Sequence, residues 1–332
     1  MTIQSSIKNI WGFDSFRPLQ QEAMAAVLSG KDSIVILPTG GGKSLCFQAP
    51  VMNLNGTAVV ISPLISLMKD QVDALNQVGV AAVRIDSSMD VSEKREVFKQ
   101  LKSGTVKLVY ISPERLVMPE FMTFLKTFPI AYFVIDEAHC VSMWGHDFRP
   151  EYRQLQILKT AFPDQSVHAF TATATEQVRK DIAVQLKLSN AETLVGSFDR
   201  PNLIFRSEPR VDLRKQVEDI LQRHKNESGI IYCLRRADTE DLAAGLLARG
   251  FRAIPYHAGM PDEKRKKHQD AFIRENVDII VATIAFGMGI DKSNVRYVIH
   301  AAMPKSLEHY QQESGRAGRD RKSTRLNSSH YS

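Results

Sequence analysis

Short apolar runs recur along the chain, each followed by a longer stretch in which apolar residues return every three or four positions. Ser33–Leu37 (SIVIL) is the first such run. Thr57–Ile61, Val80–Ile85, Val106–Ile111, Tyr132–Ile135 and Val167–Phe170 follow it. Most are continuously apolar rather than alternating, as in parallel strands whose two faces are both covered by helices. The rhythm then restarts. Ile230–Cys233, Arg252–Tyr256, Asp278–Ala282 and Arg296–Ile299 read as strands, with helical stretches at Ala237–Ala248 and Asp262–Arg274. Between the two series lies GSFDRPNL (Gly196–Leu203), which contains Pro201, has no helical period and is the best linker in the chain. The pattern therefore predicts two consecutive α/β domains, residues 1–200 and 201–320. Residues 321–332 (RKSTRLNSSHYS) carry neither period and change character abruptly at Arg321. They read as a non-native polar tail, with a disordered native terminus as the alternative.

Composition narrows the class. Of 332 residues, 43% are hydrophobic and 24% charged, which argues against a disordered chain, a collagen-like repeat or a coiled coil. No apolar run approaches the ~18 residues needed to span a bilayer. The N-terminal MTIQSSIKNIWGFDS lacks the basic–apolar–small order of a secretion signal, so no membrane association and a cytoplasmic location are expected. Cys46, Cys140 and Cys233 lie far apart and form no CxxC pair, so neither a disulfide framework nor a zinc site is expected. The net charge of +6 says little about a polyanionic partner. Residues 1–200 hold 20 basic and 20 acidic side chains, and Arg321, Lys322 and Arg325 of the tail supply half of the excess. The basic run within DEKRKKHQD (Asp262–Asp270) reads as the solvated face of a helix.

Two motifs carry chemistry. After the first strand comes LPTGGGKS, with Thr39, Gly40, Gly41 and Gly42 before Lys43 and Ser44. Consecutive glycines let backbone N–H groups approach phosphate oxygens without Cβ clashes, and the helix that follows turns its positive end to the same anion. Lys43 would reach the β- and γ-phosphates, and the Ser44 hydroxyl would ligate Mg²⁺. The strict GxxxxGK[ST] pattern needs glycine where Leu37 stands, so the match is to a shorter loop. A Gly-rich turn with a surface lysine is the plain alternative, disfavoured by the strand before and the helix after. About 90 residues on, the strand Phe133–Ile135 ends in Asp136–Glu137–Ala138–His139. Carboxylates at the carboxyl end of a parallel strand face the crevice where such sheets bind ligands. Asp136 suits Mg²⁺ held through water, and Glu137 suits activation of the attacking water. Alone, the tetrapeptide could be a solvated strand end; with the glycine loop it is the signature of a nucleoside triphosphatase.

With these motifs in order, the chain resembles superfamily 2 helicases, and within them the RecQ family of DNA helicases. The resemblance runs over about residues 8–320. FRPLQ (Phe16–Gln20), SPLISLMKDQV (Ser62–Val72), TATAT (Thr171–Thr175), YHAGM (Tyr256–Met260), ATIAFGMGIDK (Ala282–Lys292) and YQQESGRAGRD (Tyr310–Asp320) are similar to family motifs. The most discriminating stretch is CVSMWGHDFRPEY (Cys140–Tyr152), which resembles the aromatic-rich loop of RecQ proteins.

The resemblance implies two tandem RecA-like domains, each a mostly parallel sheet flanked by helices, with the nucleotide site between them. It implies ATP and Mg²⁺ as cofactors, with His139 completing the catalytic box. Phe13 would stack on adenine while Arg17 and Gln20 bond its edge. Gln312 would touch the nucleotide pocket, and Arg316 and Arg319 would project towards the γ-phosphate, one of them as an arginine finger. Trp144, His146, Phe148 and Arg149 would engage unpaired bases, for which aromatic faces and guanidinium planes need no particular sequence. Ser62 and Thr283 would contact the DNA backbone. The partners implied are single-stranded DNA and single-strand/duplex junctions, with 3′-to-5′ movement and a role in recombination and repair. The setting expected is the bacterial cytoplasm or nucleoid.

Departures bear on how much of this carries over. Arg321 stands where the family continues with glycine, and twelve residues cannot hold the zinc-binding and winged-helix modules that usually follow. Leu234 and Arg235 replace the usual Asn and Ser of the fourth motif. Two other readings therefore stand beside the helicase core: a nucleotide- and DNA-binding fragment that does not unwind, and a DEAH-type ATPase directed by RNA, which the aromatic loop disfavours.

Overall fold

The computed structural model describes residues 2–145, 147–287 and 292–319, and the backbone of 324–330. Among these the chain divides into two compact units, Met1–Phe198 and Asp199–Ser332, and the division falls inside GSFDRPNL.

The first unit is built on a seven-stranded sheet: β1 (Ser33–Ile36), β2 (Thr57–Ile61), β3 (Ala82–Ile85), β4 (Leu108–Ile111), β5 (Ile130–Ile135), β6 (Val167–Thr171) and β7 (Glu192–Val195). Their order is β3-β4-β2-β5-β6-β1-β7, and every pairing is parallel. Alternate residues of one strand enter opposite cores. Ile34, Ile36, Val59 and Ile61 join Phe133 and Ile135 on one face, whereas Val35, Val60 and Val134 join Phe47, Tyr132 and Phe170 on the other. This two-sided burial is why the strands carry no polar alternation.

The second unit holds β8 (Leu203–Pro209), β9 (Ser228–Tyr232), β10 (Ala253–Tyr256), β11 (Ile279–Ala282), β12 (Val295–His300) and β13 (Thr324–His330). The order is β10-β11-β9-β12-β13-β8, again parallel throughout. Ile231 and Val281 pack on one face with Val217, Leu242 and Leu246 from the helices Leu213–Arg223 and Arg236–Ala248. Ile230 and Ile280 pack on the other with Phe272 and Phe286.

Three strands escaped the hydrophobic pattern. β7 and β8 present mostly exposed side chains. The third, β13, lies in the tail that carried no strand signal. Its backbone runs between β12 and β8, from Thr324 opposite Leu203 to His330 opposite Pro209. Leu326 is the one large apolar residue in Thr324–His330, so the pairing rests on backbone groups that no hydrophobic period announces.

Candidate functional site

In a parallel sheet the loops leaving the carboxyl ends of neighbouring strands gather along one edge. Because β2, β5, β6 and β1 are consecutive neighbours, the segments after them meet there: Ser62 onward, Asp136–His139, Ala172–Thr175 and Pro38–Gly42. Segments far apart in sequence, from Pro38 to Thr175, thereby share one site.

Lys43 is its centre. The Nζ lies 3.1 Å from Asp136 Oδ1 and 3.2 Å from Glu137 Oε1, with all three side chains largely buried. Burial alone would lower the lysine pKa. The charges of Asp136 and Glu137, and their hydrogen bonds to Nζ, carry it well above the ordinary range. Burial pushes the Asp136 carboxyl up, against the pull of Lys43. Glu137 sits in the left-handed region at φ 49°, and its N–H donates to Asp136 Oδ1 at 2.9 Å. That strained turn brings both carboxylates to one side. Buried Glu137 Oε2 accepts no hydrogen bond among the described residues. A cation shared by two carboxylates, with an oxygen still open, fits a site built for a hydrated divalent metal and a polyphosphate.

The glycine loop is held open by residues that precede it. Arg17 donates through Nη1 to the Gly40 carbonyl, and Gln20 Nε2 donates to the Gly42 carbonyl at 3.1 Å. Gln20 Oε1 also accepts from the Arg17 N–H at 2.8 Å. Gly42 has φ +78°, and a Cβ there would collide with the Gln20 amide, so only glycine serves. Arg17 and Gln20 were expected at an adenine edge; here they bond the loop backbone. Thr39 and Ser44 are half-buried, and the Phe13 ring is 47% exposed.

Beyond the acidic pair, His139 Nδ1 lies 2.9 Å from the Thr171 hydroxyl, and that hydroxyl lies 3.1 Å from the Thr173 carbonyl oxygen. The loop that follows turns sharply at Gly145, where a Cβ would run into the His139 carbonyl. Trp144 stands out at 69% exposed. Phe148, expected to be open, is half-buried with the Arg153 guanidinium 5.1 Å from its ring centre. Arg149 is clamped: Nε and Nη2 donate to Asp147 Oδ2, and Nη1 donates to the Pro63 carbonyl. His146 lies outside the described residues.

Ser62 lies deeper than its expected role suggests. It was expected to touch a DNA backbone, yet its side chain is fully buried and the hydroxyl has no hydrogen-bond partner among the described residues. The cause is its place one residue beyond β2. Its N–H still pairs with the Ile111 carbonyl of β4, which keeps the side chain under the sheet edge.

In the second unit, Thr283 follows β11, is half-buried and accepts from the Ala285 N–H at 3.4 Å. Gln312 is half-buried on the helix Leu307–Ser314. Arg316, expected to project outward, is buried beside Tyr232 and Gly287. Burial pushes the Tyr232 phenol up to about 12 even though Arg316 and Arg319 pull the other way. Arg316 turns inward because the helix ends at Ser314, and the turn after it is fastened to the start of the unit. Arg200 donates to the carbonyls of Ala317 and Gly318, and Asn202 to that of Gly318. Asp320 lies outside the described residues.

Sequence reasoning gave no site role to Thr171, Cys140, Asp147 or Arg153 as single residues. The first was visible only as part of TATAT, and Asp147 as the acid two positions before Arg149. Cys140 and Arg153 were visible only as positions in or beside the aromatic loop.

The DEAD/DEAH box helicase family matches residues 17–182, and the helicase conserved C-terminal domain matches residues 212–321. The chain is 47% identical over 319 residues to the ATP-dependent DNA helicase RecQ of Haemophilus influenzae, covering 96% of this chain and 52% of that protein. It is 44% identical over 319 residues to the RecQ helicase of Bacillus subtilis, covering 96% and 54%. The chain thus spans about half the length of these relatives. Its fold is similar to that of the DUF1998 helicase MrfA bound to DNA and AMPPNP, with a TM-score of 0.81 at 19% identity, covering 100% of this chain and 50% of that one. Both units are accordingly RecA-like helicase domains, and no helix among the described residues is long and apolar enough to cross a membrane. On its motifs and these matches, the chain belongs to the DEAD/DEAH box helicase family, in its RecQ branch.

Proposed function

We propose that this chain is the motor of an ATP-dependent DNA helicase, hydrolysing ATP to move 3′-to-5′ along single-stranded DNA and open duplex at single-strand/duplex junctions. Its setting would be recombination and repair in the bacterial cytoplasm or nucleoid, as the resemblance to the RecQ family implies. The observation that carries the reading is Lys43 shared between Asp136 and Glu137, three residues before a loop that exposes Trp144.

Each residue has a task suited to its chemistry. On ATP binding, Lys43 exchanges its carboxylates for the β- and γ-phosphates, cradled by Thr39, Gly40, Gly41 and Gly42. The Ser44 hydroxyl and Asp136, through water, would hold Mg²⁺, which would supply charge neutralisation for the phosphates when bound. Glu137 Oε2, with an open lone pair, orients the attacking water and takes its proton. His139 stands beside Glu137, with Nδ1 3.4 Å from Oε2, and is itself fixed by the Thr171 hydroxyl. Phe13 stacks on the base, and Arg17 and Gln20 read its edge after releasing the loop. Gln312 contacts the nucleotide, and Arg316 or Arg319 offsets transition-state charge. Trp144, Phe148 and Arg149 take the bases of the strand, and Thr283 takes a phosphate.

The test is the ATPase rate with Mg²⁺ at low salt, alone and with single-stranded DNA or RNA. DNA should stimulate strongly and RNA weakly. Glu137→Gln should cut turnover by roughly 10²–10⁴-fold while ATP and DNA binding persist. Retained turnover in that variant would remove Glu137 as the base. Equal stimulation by RNA would favour an RNA-directed ATPase, and no stimulation with ATP still bound would favour a binding fragment.

A further inference from the structure

The ATP site and the aromatic loop are separated by one buried thiol. Cys140 is fully buried, with Sγ 3.8 Å from His139 Nε2 and 3.9 Å from Asp147 Oδ2. Each distance is within the reach of a sulfur hydrogen bond, and the thiol has one proton to give. On the His139 side the chain of contacts continues to the Thr171 hydroxyl and the Thr173 carbonyl. On the Asp147 side it continues to Arg149, whose other end holds the Pro63 carbonyl. One line of polar contacts thus joins three strand-end segments.

The line has a direction. A neutral imidazole donates at one nitrogen and accepts at the other. When the Thr171 hydroxyl donates to the Thr173 carbonyl, His139 Nδ1–H donates to Thr171, and Nε2 accepts the Cys140 proton. When Thr171 instead donates to Nδ1, Nε2–H donates to sulfur, and the single thiol proton is released to Asp147. The donor and acceptor inventory allows two discrete arrangements, and only the second completes the clamp on Asp147 and so on Arg149. Burial, with the nearby Asp147 and Glu137 carboxylates, keeps the thiol protonated, as this exchange requires.

We propose that Cys140 is a positioning residue that couples the aromatic loop to the ATP site, its thiol proton shared between His139 and Asp147 and passing the state of one to the other. This rests on the functional reading above and adds the group that carries the message. Cys140 touches neither nucleotide nor DNA; it acts through its neighbours.

Two substitutions separate coupling from packing. Cys140→Val fills the volume but has no donor, whereas Cys140→Ser keeps the donor in a smaller side chain. ATP turnover is measured without DNA and at saturating single-stranded DNA, together with the KM for ATP and the DNA Kd. For Cys140→Val, stimulation by DNA should fall about tenfold, while the basal rate, KM and Kd stay within about twofold. Cys140→Ser should keep parental stimulation. Parental stimulation in the valine variant, or equal loss in both, would overturn the assignment. A packing role predicts the reverse ranking, with valine tolerated and serine impaired. If DNA does not stimulate the parent chain, the functional reading fails and this assignment with it. If it stimulates parent and valine variant alike, only the assignment fails.

Discussion

Lys43 and His168 illustrate the two fates of a buried ionisable side chain in one unit. Lys43 stays charged because two carboxylates face it. His168, fully buried on β6, has no such partner. Its ring nitrogens meet the Ser33 hydroxyl at 2.9 Å and the Ser166 hydroxyl at 2.8 Å, and burial, aided by the charge of Lys159, lowers its pKa to about 3. The unfolded chain protonates His168 near 6.5 and the folded one does not, so between about 6.5 and 3 the unfolded state binds the extra proton. Stability is therefore intact above about 6.5 and lost as pH falls towards 3. Between pH 7 and 5 this one residue should cost about 2 kcal/mol. Denaturant melts at both values should show that drop in the parent and not in His168→Gln; an equal drop in both would discount the residue. Neither the buried state of His168 nor that of Ser62 could be read from sequence. A lone histidine or serine near a strand end is ambiguous until its neighbours are known. Lys43, Asp136 and Glu137 were legible because spacing after a strand dictates where such side chains point.

Strands and helices place these residues by backbone bonds that must be closed at both ends. The six-residue helix Lys43–Gln48 after the glycine loop leaves carbonyls at its end, and the Tyr132 hydroxyl of β5 donates to that of Phe47 at 2.7 Å. The strand carrying Asp136 and Glu137 thereby holds the helix carrying Lys43. In Tyr132→Phe a buried carbonyl would lose its donor, which should cost about 1–3 kcal/mol. A raised KM for ATP should accompany the loss. Unchanged stability in denaturant melts would show that the carbonyl finds another partner. The element pattern was most legible where burial is two-sided, as in β2 and β4, whose residues are all buried. It failed at β7 and β8, where pairing is made by backbone and the side chains face solvent. It also placed the start of β3 at Val80, although Val80 is buried ahead of the strand. Apolar content marks burial, and burial is broader than strand.

The order of strands in the second unit has a consequence for the chain as a whole. β8 begins that unit, four residues after its first residue Asp199, yet its partner among the described strands is β13, from the far end of the chain. β13 also pairs with β12, so it stands as the link between β8 and the other four strands. A strand at a sheet edge with no neighbour keeps neither its ladder nor protection from exchange. The tail that carried no pattern of its own would then decide whether Leu203–Pro209 is structured at all. Ending the chain at Asp320 should leave the amides of residues 203–208 exchanging at loop rates, while β9, β11 and the whole of the first unit keep their protection. Hydrogen exchange read by peptide mass spectrometry on the full and shortened chains makes the comparison directly. Equal protection of residues 203–208 in both would mean that β8 is held without β13, by side chains such as Phe205, whose ring lies 5.8 Å from that of Tyr310. Basal ATP turnover should be less affected than β8, because Lys43, Asp136 and Glu137 all belong to the first unit.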